Sequence, residues 1–224
     1  MLQLGTALSP FREDTGKAWD AIGPGFIKHL PKEGREELLQ VLQAAEDRAS
    51  WGWQMMAVTV ALMPKPSGGG ERPIALVTFL VRLWMRMRRC VGAAWTNEHR
   101  AEWDAALAGS SAIQAALGRA LSIESARERG MAWGVLLLDI EKFYDSIPIP
   151  VLIREALMQG YPATMLYMGV TQCLAARHLR IGPCSSRETL PTSSILAGLG
   201  ESNNFARIVL HGAQPPSRHR HLRG

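Results

Sequence analysis

The apolar positions of this chain change period as it runs, and the changes mark out its elements. From Lys32 to Trp51 the residues Leu38, Leu39, Leu42 and Ala45 recur at helical spacing behind Pro31, which predicts a helix of about four or five turns. The β-branched stretch from Met55 to Met63 predicts a strand. It runs into PKPSGGGERPIAL, where a three-glycine loop leads to a second strand beginning near Arg72, and together these make a hairpin. Helical spacing returns between Ala75 and Trp95. Residues Ser110 to Arg129 form an alanine-rich helical run that stops at Gly130. Val135 to Leu138 is continuously apolar, as in a strand buried on both faces. Pro148–Gly160 and Pro162–Ala176 predict two helices, residues 177–196 short strands, and Glu201–His211 a last helix. Residues 1–30, broken by Pro10, Gly23, Pro24 and Gly25, predict an irregular arm.

With 47% apolar and 20% charged residues over 224 positions, the chain has a globular composition and enough length to bury a core. It holds no run of about 18 uncharged apolar residues, and its start lacks the basic-then-apolar order of a signal peptide. An intracellular protein, in cytoplasm or nucleus and without a membrane partner, is therefore expected. Cys90, Cys173 and Cys184 are odd in number and widely spaced, which favours free thiols over a disulfide framework or a zinc site. Net charge is +5, and three of those charges are Arg218, Arg220 and Arg223 in an acid-free end. Bulk charge thus says little about a polyanion partner, but local density does. Between residues 65 and 100, Lys65, Arg72, Arg82, Arg86, Arg88, Arg89 and Arg100 face only Glu71 and Glu98.

Three segments can carry chemistry. Asp139 follows the apolar run of VLLLDIEKFYDSI, where a carboxylate needs a cation or a hydrogen-bond donor beside it; it reads either as a metal ligand or as the cap of a turn. Lys65 and Arg72 flank the glycine loop, as a clamp on phosphate oxygens or as solvated charges on a surface turn. Arg82, Arg86 and Arg89 share one helical stripe, which either tracks a nucleic-acid backbone or faces solvent.

Taken in order, PKPSGGGERPIAL, LLLDIEKFYDSI and SILAGLGESNNFARIVL resemble the reverse transcriptases of non-LTR retrotransposons and group II introns over roughly residues 55–212. The first piece is similar to the fingers hairpin, the second to the catalytic-aspartate motif, and the third to the Q-G-x-x-x-S-P turn and helix. The resemblance implies an α+β fold: helix-rich right-hand polymerase fingers with a β-hairpin, and a partial palm with a small antiparallel sheet. It places the arm at 1–30, fingers at 31–130, palm at 131–212 and a basic disordered tail at 213–224. Asp139 is then the metal-binding aspartate, with the Ile140 carbonyl as a further oxygen ligand for Mg2+. Tyr144 lies beneath the incoming sugar, Asp145 orients the turn, Lys65 and Arg72 hold the triphosphate, and Gly198 and Ser202 lie along template and nucleotide. The implied partners are an RNA template, a DNA primer and deoxynucleotides.

Two departures stand out: Ala197 occupies the place of the family's Gln, and Asn203 that of its Pro. The family also needs an aspartate pair downstream of the third piece, to bridge two magnesium ions about 3.5–4 Å apart. Here Glu201 is the last acid. The expectation is a domain truncated before its active site closes, inactive as a polymerase. Alternatives are a non-catalytic nucleic-acid-binding remnant and a helical protein-interaction module.

Overall fold

A computed structural model of the chain describes residues 2–66, 68–101, 104–107, 109–135 and 139–213. The architecture is mixed α+β, with ten helices and one four-stranded sheet among the described residues. The chain divides into two compact units. One comprises residues 1–95 and 142–224, the other 96–141, so the expected boundary after residue 130 falls inside the smaller unit.

The larger unit is built on the hairpin. Strand β1 (Ala57–Pro64) pairs antiparallel with β2 (Glu71–Leu76), from Thr59 opposite Leu76 to Pro64 opposite Glu71. The glycine loop between them makes this return possible, since Gly68, Gly69 and Gly70 all take positive φ. On its other side β1 pairs parallel with β3 (Ala176–Ile181), which turns back into β4 (Cys184–Ser185), giving the order β2-β1-β3-β4. The sheet is therefore mixed rather than antiparallel, because the short strands after residue 176 join the hairpin directly. The apolar run expected to form a separate palm strand falls on Leu136, Leu137 and Leu138, outside the described residues, while Val135 and Asp139 on either side are in neither helix nor strand.

The helices lie where the apolar spacing predicts them. They are α3 (Lys32–Asp47), α4 (Phe79–Met87), α5 (Arg89–Glu98), α8 (Ile149–Met158), α9 (Ala163–Cys173) and α10 (Ser202–Gly212); a short α7 (Phe143–Ser146), which the spacing does not predict, precedes α8. The core gathers Val58 and Val60 of β1, Trp84 of α4, Leu152 of α8, Leu166 of α9 and Phe205 of α10. Trp51 and Trp84 meet edge to face at 5.3 Å, and the Trp51 indole donates to the Met168 carbonyl at 2.8 Å, so the polar end of a buried ring is satisfied.

The first thirty residues are not irregular throughout. They contain α1 (Leu2–Leu8) and α2 (Pro24–Lys28), and Leu4, Leu8 and Ile27 pack with Phe79 and Leu83 of α4 as a second apolar cluster. The helix breakers punctuate this stretch without unfolding it, because α4 supplies the surface on which its apolar residues are buried.

In the smaller unit, α6 (Ala112–Glu128) starts where the Ser111 hydroxyl accepts from the Ile113 and Gln114 amides. It stops where the Gly130 amide donates to Arg127 and the Met131 amide to Ala126, with Gly130 at φ +65°.

Candidate nucleic-acid interface

Both sequence-predicted hairpin cations belong to the larger unit. Arg72 stands opposite Met63 in the register, and Lys65 lies two residues beyond Met63, so strand alternation puts the two cations diagonally on one face. The turn is closed by the Lys65 amide donating to Gly70 and the Gly68 amide donating to Lys65, both at 3.0 Å. Both side chains are exposed, and neither has a hydrogen bond or ion pair among the described residues.

The arginine stripe survives a break in its helix. Helix α4 ends at Met87 and α5 begins at Arg89, yet Arg82, Arg86 and Arg89 line one groove of about 400 Å³ together with Phe11, Met85, Gly198, Gly200 and Glu201. Arg82 is anchored at its rim: its guanidinium donates to the Gly16 carbonyl at 2.7 Å and lies 5.5 Å from the Phe79 ring centre. Burial pulls the Arg82 pKa below the ordinary guanidinium value, and the charge of Asp20 works against that pull. The side chains of Arg86 and Arg89 make no hydrogen bond or ion pair among the described residues. Arg88, their neighbour in sequence, points elsewhere, donating to both carboxylate oxygens of Glu46 at 2.6–3.0 Å; the Trp84 indole shares that acceptor at 3.0 Å.

The opposite wall of the groove is the turn before α10. It is docked onto the hairpin, with the Ala75 amide donating to the Ala197 carbonyl at 2.9 Å. Gly198 has φ +110°, and a Cβ there would lie 2.7 Å from the Ala75 carbonyl oxygen, so glycine is required twice over. Ser202 is buried, and its hydroxyl donates to the Leu196 carbonyl, which closes the turn on itself. Glu201, a residue that the sequence did not single out for this site, is only 4% exposed. Its Oε2 accepts from the Tyr161 hydroxyl and, at 2.9 Å, from the Asn204 amide. The one sequence signal available was that Glu201 is the sole acid in SILAGLGESNNFARIVL.

Tyr144, on α7, donates through its hydroxyl to Oδ1 of Asn203 at 2.8 Å, and its carbonyl accepts from the Ile195 amide at 2.9 Å. The second motif's aromatic residue and the third motif's turn are thus joined, and the asparagine in place of the family's proline supplies one of the bonds. Asp145 is exposed, with its amide bonded to the Lys142 carbonyl at 2.9 Å. Its charge favours the ionised form of Arg177, whose pKa burial lowers; the Arg177 guanidinium bonds to Cys173 and Ser194.

Asp139 and Ile140 belong to the smaller unit, in exposed irregular backbone. Among the described residues no group of three or more His, Cys, Asp or Glu side chains could hold a metal ion. One carboxylate and one backbone carbonyl do not make the near-octahedral oxygen shell that Mg2+ requires, so the residues present do not fit the two-ion centre that the resemblance implies.

No protein-family model and no curated protein matches the chain. Among the described residues, no helix is long and apolar enough to cross a membrane.

Proposed function

We propose that the chain is a reverse-transcriptase-like fingers and partial palm that binds the sugar-phosphate backbone of nucleic acid without extending a primer. The observation that carries this reading is the groove in which Arg82, Arg86 and Arg89 meet the turn at Gly198–Glu201, two segments far apart in sequence, the second of them part of the motif series. Guanidinium groups without protein partners in a groove are suited to phosphate oxygens, which they engage through paired N–H donors. Lys65 and Arg72, on one face of the glycine-tipped hairpin, add a second pair of partnerless cations. Extension is not part of the reading because, among the described residues, no three or more His, Cys, Asp or Glu side chains are grouped so that they could hold a metal ion.

The test is fluorescence anisotropy of the full chain with labelled single-stranded oligonucleotides over a range of salt. Binding should weaken steeply with salt, and Arg86→Ala with Arg89→Ala together should lower the slope of log K against log salt by about 2. Primed RNA with deoxynucleotides and magnesium should give no extended product. Salt-independent binding, or extension abolished by Asp139→Asn, would overturn the proposal.

A further inference from the structure

A cavity of about 790 Å³, open to solvent, lies within the larger unit and shares no lining residue with the arginine groove. Its floor is the face of the sheet turned away from the core. Ala57 and Thr59 of β1 line it, alternating with Val58 and Val60, which belong to the core. The parallel register sets Ala176 beside Ala57 and His178 beside Thr59, and both of these β3 residues line it too. Two alanines side by side keep the floor low. Trp19 and Trp53 also line the cavity, and they are 48% and 78% exposed. Their indoles differ from those of the core: Trp51, Trp84 and Trp95 each donate a hydrogen bond to the protein, whereas Trp19 and Trp53 have no such partner among the described residues. Packing therefore does not account for these two rings, and exposed aromatic faces around a depression of this volume are suited to a planar ring.

The charges in the cavity decide what that ring should carry. Arg180 lines it two residues beyond His178 on β3. The Arg180 Nε donates to the Gly182 carbonyl at 3.1 Å, and the terminal nitrogens of the guanidinium have no partner among the described residues. Glu188 is the one acid among the described lining residues. The bridge between Arg177 and Thr189 brings Glu188 opposite His178, whereas Arg180 pairs with Ser185, so the carboxylate stands nearer the imidazole in the register than the guanidinium. Arg72, opposite Met63, adds a further positive charge to the same face of the sheet. We infer that the cavity binds a small molecule with a planar aromatic ring and an anionic group, the ring against the indoles of Trp19 and Trp53 and the anion on the Arg180 guanidinium. This site goes beyond the backbone-binding reading and does not depend on it.

Isothermal titration calorimetry of the full chain with naphthoate, naphthylmethylammonium and cyclohexanecarboxylate tests the assignment. Naphthoate should bind about tenfold or more tighter than either of the others, because one lacks the negative charge and the other the aromatic ring. Trp53→Ala and Arg180→Gln, both at exposed positions, should each weaken naphthoate binding about fivefold or more while leaving the circular dichroism spectrum unchanged. Arg86→Ala should leave naphthoate affinity as it was. Absence of naphthoate binding at millimolar concentration would overturn the inference. Equal affinity for cyclohexanecarboxylate would overturn it by removing the ring, and tighter binding of naphthylmethylammonium by reversing the charge. Affinity that survives both Trp53→Ala and Arg180→Gln, or that falls in Arg86→Ala, would place the ligand elsewhere and overturn it as well.

Discussion

Gly198 packs directly against Ala75, its Cα facing the β2 carbonyl so closely that an added Cβ would come within 2.7 Å of that oxygen. This contact ties the turn before α10 to the hairpin and sets one wall of the arginine groove. Gly198→Ala would add a left-handed strain at φ +110° to that clash. The combined cost should be about 2–4 kcal/mol of folding stability, read as a lower urea midpoint, with weaker oligonucleotide binding by the folded fraction. A variant as stable as the original would mean that the turn is not held there.

Two arginines separated by one residue should behave oppositely. Arg88 and Glu46 form a partly buried bidentate pair that also satisfies the Trp84 indole, so Glu46→Ala leaves two donors without an acceptor and should cost about 2–3 kcal/mol. Arg86→Ala removes no partner and should change stability by less than about 0.5 kcal/mol while weakening nucleic-acid binding. Chemical denaturation of both variants checks the ranking, and the reverse order would contradict the geometry.

The three thiols should differ in reactivity. Cys90 and Cys184 are exposed, whereas Cys173 is buried and burial pushes its pKa up to about 11. Since the thiolate is the reactive form, Ellman's reagent at neutral pH should titrate two thiols quickly and the third only on unfolding. Rapid reaction of all three in the native protein would show that Cys173 is not enclosed.

Tyr161 makes stability sensitive to alkali. Burial, reinforced by the Glu201 charge, raises its phenol pKa well above the ordinary value of 10.0. The folded chain therefore holds this proton more tightly than the unfolded chain does. The stability linked to it is complete below about pH 10 and declines as pH rises beyond that toward the folded value. Urea midpoints at about pH 9 and about pH 11 should fall apart more for the original chain than for Tyr161→Phe. Equal loss in both would place the alkaline sensitivity elsewhere.

Much of the local structure was legible from residue spacing. The helix from Lys32, the glycine-tipped hairpin, the stop of α6 at Gly130 and the helix pair after Pro148 depend on contacts within a few residues, so period and turn chemistry suffice. The site was legible only in part. Arg82, Arg86 and Arg89 could be placed on one stripe, but Arg88 could not be told from them, because its partner Glu46 lies on a different helix. Asn203 departs from the motif, and its bond from the Tyr144 hydroxyl depends on packing between segments that residue spacing does not specify. The first thirty residues read as irregular because their breakers are local, whereas their burial depends on Phe79 and Leu83.

By itself, then, the sequence determined the kinds and order of most elements beyond residue 31 and the concentration of positive charge between residues 65 and 100. Those properties follow from backbone periodicity and side-chain type. Only the tertiary structure decided that β1 accepts β3 as a parallel neighbour, that Arg86 and Arg89 stay without partners while Arg88 is paired, and that Glu201 is buried beside them. Each depends on which distant segments pack together, and a carboxylate or guanidinium takes its role from what surrounds it once water is excluded.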